Sequence, residues 1–253
     1  MYSQILTKLV NNIYASDYLK QKNLLEYFCN NIRKIDLNIL LDCKAFIVIS
    51  DRYLLNFDKD LDIYPELNIY QNGKCKFYSR LILPIWGFDN LVHSFVIYDD
   101  GHRDGGIILD RSNYTAYETL NNSGFEKGRF WFSPPNTFRK AYEEKYIAIT
   151  DGVFDALALN AIDIPTVSLL SSNLTKYHRE YLKFIKNWVV FADNDRAGTE
   201  LFNYCKDFNN HCIRYKFNKE FKDIDEYIKL NGFNKIKSNI NKAKSQGFML
   251  DIN

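Results

Sequence analysis

Apolar residues recur at three- and four-residue intervals over the first 48 positions. They run Leu6, Leu9, Val10 and Ile13, then Leu24, Leu25 and Phe28, then Ile32, Ile35 and Ile39. That spacing predicts helices, with Ser16-Asp17 and Asp36 placed to cap new segments. From about residue 60 to 135 the texture changes. Short β-branched and aromatic runs (Leu81–Ile85, Ser94–Tyr98, Gly106–Leu109) alternate with turn clusters at 71–73, 99–101 and 121–124, which predicts strands and hairpins. After Pro134-Pro135-Asn136 the pattern becomes strand and helix in alternation. Strands are expected at Tyr146–Thr150, Thr166–Leu170, Trp188–Ala192 and Ile213–Phe217, with helices at Val153–Asn160, 175–186, 197–208 and Asp223–Lys229. Wholly apolar strands separated by helices imply a mostly parallel sheet covered on both faces. The expected organisation is an N-terminal helical region (1–60), a smaller mixed α+β subdomain (61–140), the parallel α/β domain (141–232) and a basic helical tail (233–253). The stretch from Lys229 to Gln246 carries five lysines and no acid, which reads as a solvated helix.

Composition excludes several classes without choosing a function. At 46% hydrophobic and 25% charged, the 253 residues are those of an ordinary globular chain, not a disordered or collagenous one. The formal charge of +2 does not by itself announce a nucleic-acid binder. No apolar run approaches the ~20 residues that cross a bilayer, and the N-terminus has no secretory-signal pattern. A cytoplasmic protein without a membrane partner is expected. The five cysteines (29, 43, 75, 205 and 212) form no CxxC and have few histidines to join them. They read as buried thiols, and no zinc is expected.

The chemistry gathers where ligands bind in open α/β sheets, at the carboxyl ends of parallel strands. Asp151-Gly152 follows the first strand of the alternating segment, and Asp155 lies one helical turn later on the same side. Asp193-Asn194-Asp195 follows the third strand, and residues i and i+2 of an extended segment face the same way. Four carboxylates therefore converge if these strands are neighbours. Their mutual repulsion calls for a cation. Mg²⁺ (or Mn²⁺) suits oxygen donors and retains waters that a phosphate can displace. Ala197-Gly198 opens the next helix with small residues, so backbone can approach a ligand. Lys222-Asp223, after the fourth strand, adds a cation and a fifth acid.

The order of these pieces resembles the Toprim domain shared by primases, topoisomerases and some nucleases. That family places an acid and a glycine after its first strand, an aspartate one turn on, a DxD with Ala-Gly after a later strand, and a Lys-Asp after the next. The matching residues are Asp151-Gly152, Asp155, Asp193-Asn194-Asp195 with Ala197-Gly198, and Lys222-Asp223. One departure stands out: the family's first acid is normally glutamate, and the shorter aspartate retracts the carboxylate by roughly 1.5 Å.

Upstream, Arg80-Leu81-Ile82-Leu83-Pro84-Ile85 and Phe125-Glu126-Lys127-Gly128-Arg129-Phe130 look like the subdomain that precedes Toprim in DnaG-type primases. The resemblance spans roughly residues 78–230. It implies a primase catalytic core that makes RNA primers on single-stranded DNA from NTPs. Asp151, Asp193 and Asp195 would be catalytic, and Asp155 and Asp223 would join them around the metal. Arg80, Lys127, Arg129, Gly152, Gly198 and Lys222 would contact nucleotide or DNA. A basic stretch of the family before an Asn-Ser pair finds only Tyr117–Asn121 here, without its lysine. No cysteine-rich module precedes the core and no substantial helical domain follows it. This suggests a reduced primase of a phage or mobile element, acting in the host cytoplasm. It would rely on a replicative helicase and a separate zinc-module or initiation protein. Two rivals stay open: a Toprim nuclease using the same metals, and a catalytically inactive nucleic-acid-binding accessory factor.

Overall fold

The computed structural model describes residues 1–32, 35–59, 61–98, 102–103, 106–107, 117–120, 125–170, 173–216, 224, 227–228 and 232–248. The chain divides into two compact units, Met1–Phe125 and Glu126–Asn253. Among the described residues no helix is long and apolar enough to cross a membrane.

The first unit begins with helices α1 (Tyr2–Ser16), α2 (Tyr18–Asn31) and α3 (Leu37–Asp42). Leu6, Leu9, Val10 and Ile13 of α1 are fully buried, as their spacing predicts. Asp36 caps α3 by accepting from the Asn38 N–H at 2.7 Å. Asp17 makes no side-chain cap to α2, and its carboxylate instead accepts from the Tyr53 hydroxyl. Strand β1 (Phe46–Ile47) follows, then the hairpin of β2 (Tyr70–Gln71) and β3 (Lys74–Cys75). Its loop, Asn72-Gly73, has φ of 53° and 76°, the two positive angles that a tight type I′ hairpin requires. The longer strands are β4 (Leu81–Trp86) and β5 (Val92–Tyr98), followed by β6 (His102–Arg103), β7 (Gly106–Ile107) and β8 (Tyr117–Thr119). The main sheet is antiparallel in the order β1-β4-β5-β8. Pro84 sits inside β4, which is tolerated because β1 pairs only with Leu81 and Ile82 and leaves that edge open at Pro84. The turn clusters expected at 99–101 and 121–124, and residues 108–109 of an expected strand, lie outside the described residues.

The second unit is the parallel sheet. It comprises α4 (Thr137–Glu144), β9 (Tyr146–Thr150), α5 (Val153–Ala161), β10 (Thr166–Ser168), α6 (Lys176–Leu182), β11 (Asn187–Val190), α7 (Arg196–Phe208), β12 (Cys212–Arg214) and α8 (Phe233–Ser245). The four strands pair with one another in parallel, in the order β10-β9-β11-β12. Strand period sends alternate residues of β9 to opposite faces. Tyr146 and Ala148 join a core with Leu159 of α5 and Ile236 and Ile240 of α8. Ile147 and Ile149 join the other, with Leu182 of α6 and Leu201 of α7. The mostly parallel sheet with helices on both faces is therefore present.

Four expected elements are trimmed, and the strands expected at 166–170 and 188–192 end at Ser168 and Val190. The helix expected over 175–186 ends at Leu182, because the buried Trp188 indole N–H donates to the carbonyls of Leu182 (3.3 Å) and Ile185 (2.9 Å) and takes the place of further turns. The fourth strand stops at Arg214, with Tyr215 bonding onward to the Val190 carbonyl. The helix expected at Asp223–Lys229 falls mostly outside the described residues.

Candidate functional site

The chain leaves β9 through α5 towards β10, then returns through α6 to β11 on the other side of β9. The strand order thus reverses between β9 and β11. In open α/β sheets that crevice, beyond the carboxyl ends, is where ligands bind. Asp151 follows β9 and Asp193 lies three residues past β11, so both emerge at this point.

Four hydrogen bonds fix the Asp151 turn. The buried Ser168 hydroxyl donates to the Asp151 carbonyl at 2.8 Å. The buried Thr150 hydroxyl donates to the Gly152 carbonyl, also at 2.8 Å. Leu169 N–H bonds the Thr150 carbonyl at 3.0 Å. Gly152 N–H donates to Asp151 Oδ1 at 3.0 Å. Gly152 stands at the N-cap of α5 with an ordinary extended φ of −87°, so its lack of a side chain serves space. A Cβ there would lie 2.3 Å from Asp155 Oδ2. The glycine thus makes room for the Asp155 carboxylate over the first turn of α5, where the helix dipole favours an anion.

Asp193 is held by its backbone. Arg214 at the end of β12 donates through Nη2 to the Asp193 carbonyl at 3.0 Å and through Nη1 to Thr199 Oγ1 at 3.3 Å. The first turn of α7 packs directly beneath. A Cβ on Gly198 would meet Asp193 backbone atoms at 2.2, 2.8 and 3.0 Å.

The outcome is a half-buried group: Asp151, Asp155 and Asp193 each offer a carboxylate oxygen within 4.8 Å of the others. Hard oxygen donors on fixed turns fit a small divalent cation. The shorter acid at 151 still reaches this group. Asp195, expected in the same cluster, is not part of it. Its Oδ1 instead caps α7, accepting from the Gly198 N–H at 2.8 Å. Aspartate is among the best N-caps, and that local bond competes with metal ligation.

The expected cations are more dispersed. Arg80, in the first unit, donates to the Lys76 carbonyl at 2.8 Å. Arg129, in the second, pairs with Glu126 at 2.6 Å and lies 4.7 Å from the Tyr177 ring centre. Lys127 belongs to a 3-10 turn whose backbone alone is described, and Lys222 and Asp223 lie outside the described residues. The Lys127–Arg129 turn is nevertheless tied down. The Thr175 hydroxyl donates to the Gly128 carbonyl. Fully buried His178 bonds the Phe130 carbonyl through Nε2 at 2.8 Å and accepts the Thr175 N–H at Nδ1 at 3.3 Å. Burial pushes His178 below its ordinary pKa, which keeps the ring neutral in this bridging role. All five cysteines are buried and free. Burial raises Cys29 and Cys75 to about 11, so these thiols stay protonated.

Arg214, Ser168, Thr150 and His178 escape a reading for chemistry-bearing motifs because they act on backbone carbonyls. Arg214 left one signal, a cation inside the apolar run Cys212–Tyr215.

Residues 148–228 match the Toprim-like family. Over 95% of its length the chain superposes on the Aquifex aeolicus primase (zinc-binding and RNA polymerase domains), with TM-score 0.75 and 21% identity. The fold is that of a DnaG-type primase catalytic core. A DnaG primase catalytic domain solved with single-stranded DNA is similar over 94% of this chain and 78% of its own, at TM-score 0.69 and 15% identity. The DNA primase of Thermotoga maritima is 26% identical over 183 residues, 69% of this chain. The chain spans about 30% of that relative's length and 60% of the Aquifex chain. The three clustered acids lie in or beside the strands and turns of this primase-core fold that the Toprim-like match covers.

Proposed function

We propose that the chain is the catalytic core of a DNA primase, a nucleotidyltransferase that synthesises short RNA primers from NTPs on single-stranded DNA. The observation that carries this reading is the Asp151, Asp155 and Asp193 group, within 4.8 Å at the switch point of a primase-core sheet. In the reaction, the 3′-hydroxyl oxygen of one nucleotide bonds to the α-phosphorus of the next. The bond to pyrophosphate breaks, and the hydroxyl proton passes to solvent or a nearby base. Bound Mg²⁺ (or Mn²⁺) would neutralise the triphosphate and hold the attacking and leaving oxygens in line.

The chain's own residues supply position. Asp151, Asp155 and Asp193 hold the cation, and Asp195 keeps α7 aligned beneath Asp193 while adding negative charge. Asp223 is the remaining candidate ligand. Gly152 and Gly198 let backbone come close to a phosphate. Arg80, Lys127, Arg129 and Lys222 contact phosphates of template or nucleotide, so binding should weaken with salt. A replicative helicase and a separate zinc-module or initiation protein are the partners such a core would use, in a cell's or phage host's cytoplasm.

The test is primer synthesis from NTPs on single-stranded DNA, with Mg²⁺ or Mn²⁺ and with chelator. Metal-dependent primers support the reading. Metal-dependent cleavage of the template without synthesis would make the chain a nuclease. DNA binding with neither activity would make it an accessory factor.

A further inference from the structure

One surface of the second unit, outside the acidic group, combines cations and exposed rings in a way that fits single-stranded nucleic acid. Lys176, Arg179 and Lys183 stand at i, i+3 and i+7 of α6 and its C-cap, and so line one helix face about 5–6 Å apart. Each lies over an aromatic ring: Lys176 5.1 Å from Tyr177, Arg179 5.5 Å from Phe208 of α7, and Lys183 5.3 Å from Phe184. Arg129 flanks the other end of the row through the same Tyr177 ring. Phe184 is 70% exposed and Phe208 40% exposed.

A solvated helix face explains the cations but not the rings. Placing several large aromatics in water is unfavourable, and grouped ones mark a contact surface. Between residues 173 and 186 there are four cations and one acid, Glu180, which pairs with Lys183. Among the described residues no carboxylate is within ion-pair distance of Lys176 or Arg179. Cations that track a phosphate backbone, interleaved with rings on which bases stack, are how proteins bind single strands without reading sequence.

We propose that the α6 face, from Arg129 to Phe184 and Phe208, is a second contact surface for single-stranded DNA, holding template that extends beyond the acidic site. This rests on the primase reading, and the experiment separates the two. Affinity of the full chain is measured for a short and a long single-stranded oligonucleotide at several salt concentrations. Wild type is compared with Phe184→Ala and with Arg179→Gln/Lys183→Gln, alongside primer synthesis on the short template. These side chains are exposed, so circular dichroism melts should match the wild type.

The expected result is about tenfold weaker binding of the long strand by Phe184→Ala. In the double variant the slope of log affinity against log salt should shrink by roughly 0.7 per cation removed. Synthesis on the short template should be unchanged. If wild type makes primers and both variants bind the long strand as wild type does, the α6 surface is refuted while the primase reading stands. If wild type neither binds single strands nor makes primers, both fall. If polyglutamate binds wild type as tightly as the DNA and is lost in the same variants, the surface serves an acidic protein and the nucleic-acid assignment is overturned.

Discussion

Gly198→Ala is the substitution in which two ordinary expectations collide. Gly198 lies in the first turn of α7, where alanine normally stabilises a helix by about 1 kcal/mol. Here the added Cβ would sit 2.2 Å from the Asp193 carbonyl oxygen, 2.8 Å from its nitrogen and 3.0 Å from its carbonyl carbon. All three are backbone atoms, so no side-chain rotation relieves the contact. Overpacking of this kind costs roughly 1–3 kcal/mol, which cancels or exceeds the helical gain. The net expectation is destabilisation of about 1 kcal/mol, or roughly 2–4 °C in Tm for a chain of this size. The larger effect should be on function. Relief of the clash must push Asp193 away from Asp151 and Asp155, and a shift of ~1 Å in a positioned group can cost about 100-fold in rate. Urea unfolding followed by tryptophan fluorescence, calorimetric Mn²⁺ titration and primer yield read the three consequences. An alanine variant that is more stable than wild type and binds Mn²⁺ equally well would refute the packing of α7 beneath Asp193.

Three further sets of substitutions carry definite expectations. Asp151→Ala should lose synthesis and Asp151→Glu should keep or raise it, since Gly152 lets the turn adjust; primer yields at matched protein and metal decide, and two silent changes in an inactive wild type would mark a binding factor. Lys127→Ala and Arg80→Ala should weaken single-stranded DNA or nucleotide binding and flatten its salt dependence with little change in Tm; unchanged affinity and slope would return them to the solvated surface. His178→Gln should cost about 1–3 kcal/mol by leaving buried backbone partners unpaired. Because burial holds folded His178 below its ordinary 6.5, its contribution is complete above that pH and fades as pH falls below it. Urea midpoints of wild type and His178→Gln should therefore converge under acid, and a pH-independent gap would contradict the neutral bridging ring.

Much of the second unit is legible from sequence because parallel strands buried on both faces read as unbroken apolar runs, as Tyr146–Thr150 does. The periodicity of α1 is equally direct. What the pattern hides depends on distant partners. β1 has two residues inside a stretch that reads as helical. It exists because β4 pairs with one side and buried Gln21 of α2 bonds both the N–H and the carbonyl of Ile47, at 2.8 and 3.0 Å. The end of α6 depends on an indole six residues on. In the candidate site, the spacing of Asp151 and Asp155 brings them together through one helical turn, and the strand order adds Asp193. Asp193 and Asp195, by contrast, look equivalent in sequence. Only the start of α7 distinguishes the acid at the cluster from the acid at the cap.

The three-aspartate site is tested most directly by template-directed primer synthesis, at saturating Mg²⁺, comparing wild type with Asp193→Asn. The contacts that position Asp193 from Arg214 and Gly198 engage its backbone, so the amide should leave the fold intact. Loss of like charge should, if anything, raise the stability of the metal-free protein. The three-aspartate site predicts primers from wild type and none from Asp193→Asn, whose metal-free protein should melt no lower than wild type. Full synthesis by Asp193→Asn would contradict the assignment of the three-aspartate group as the metal site.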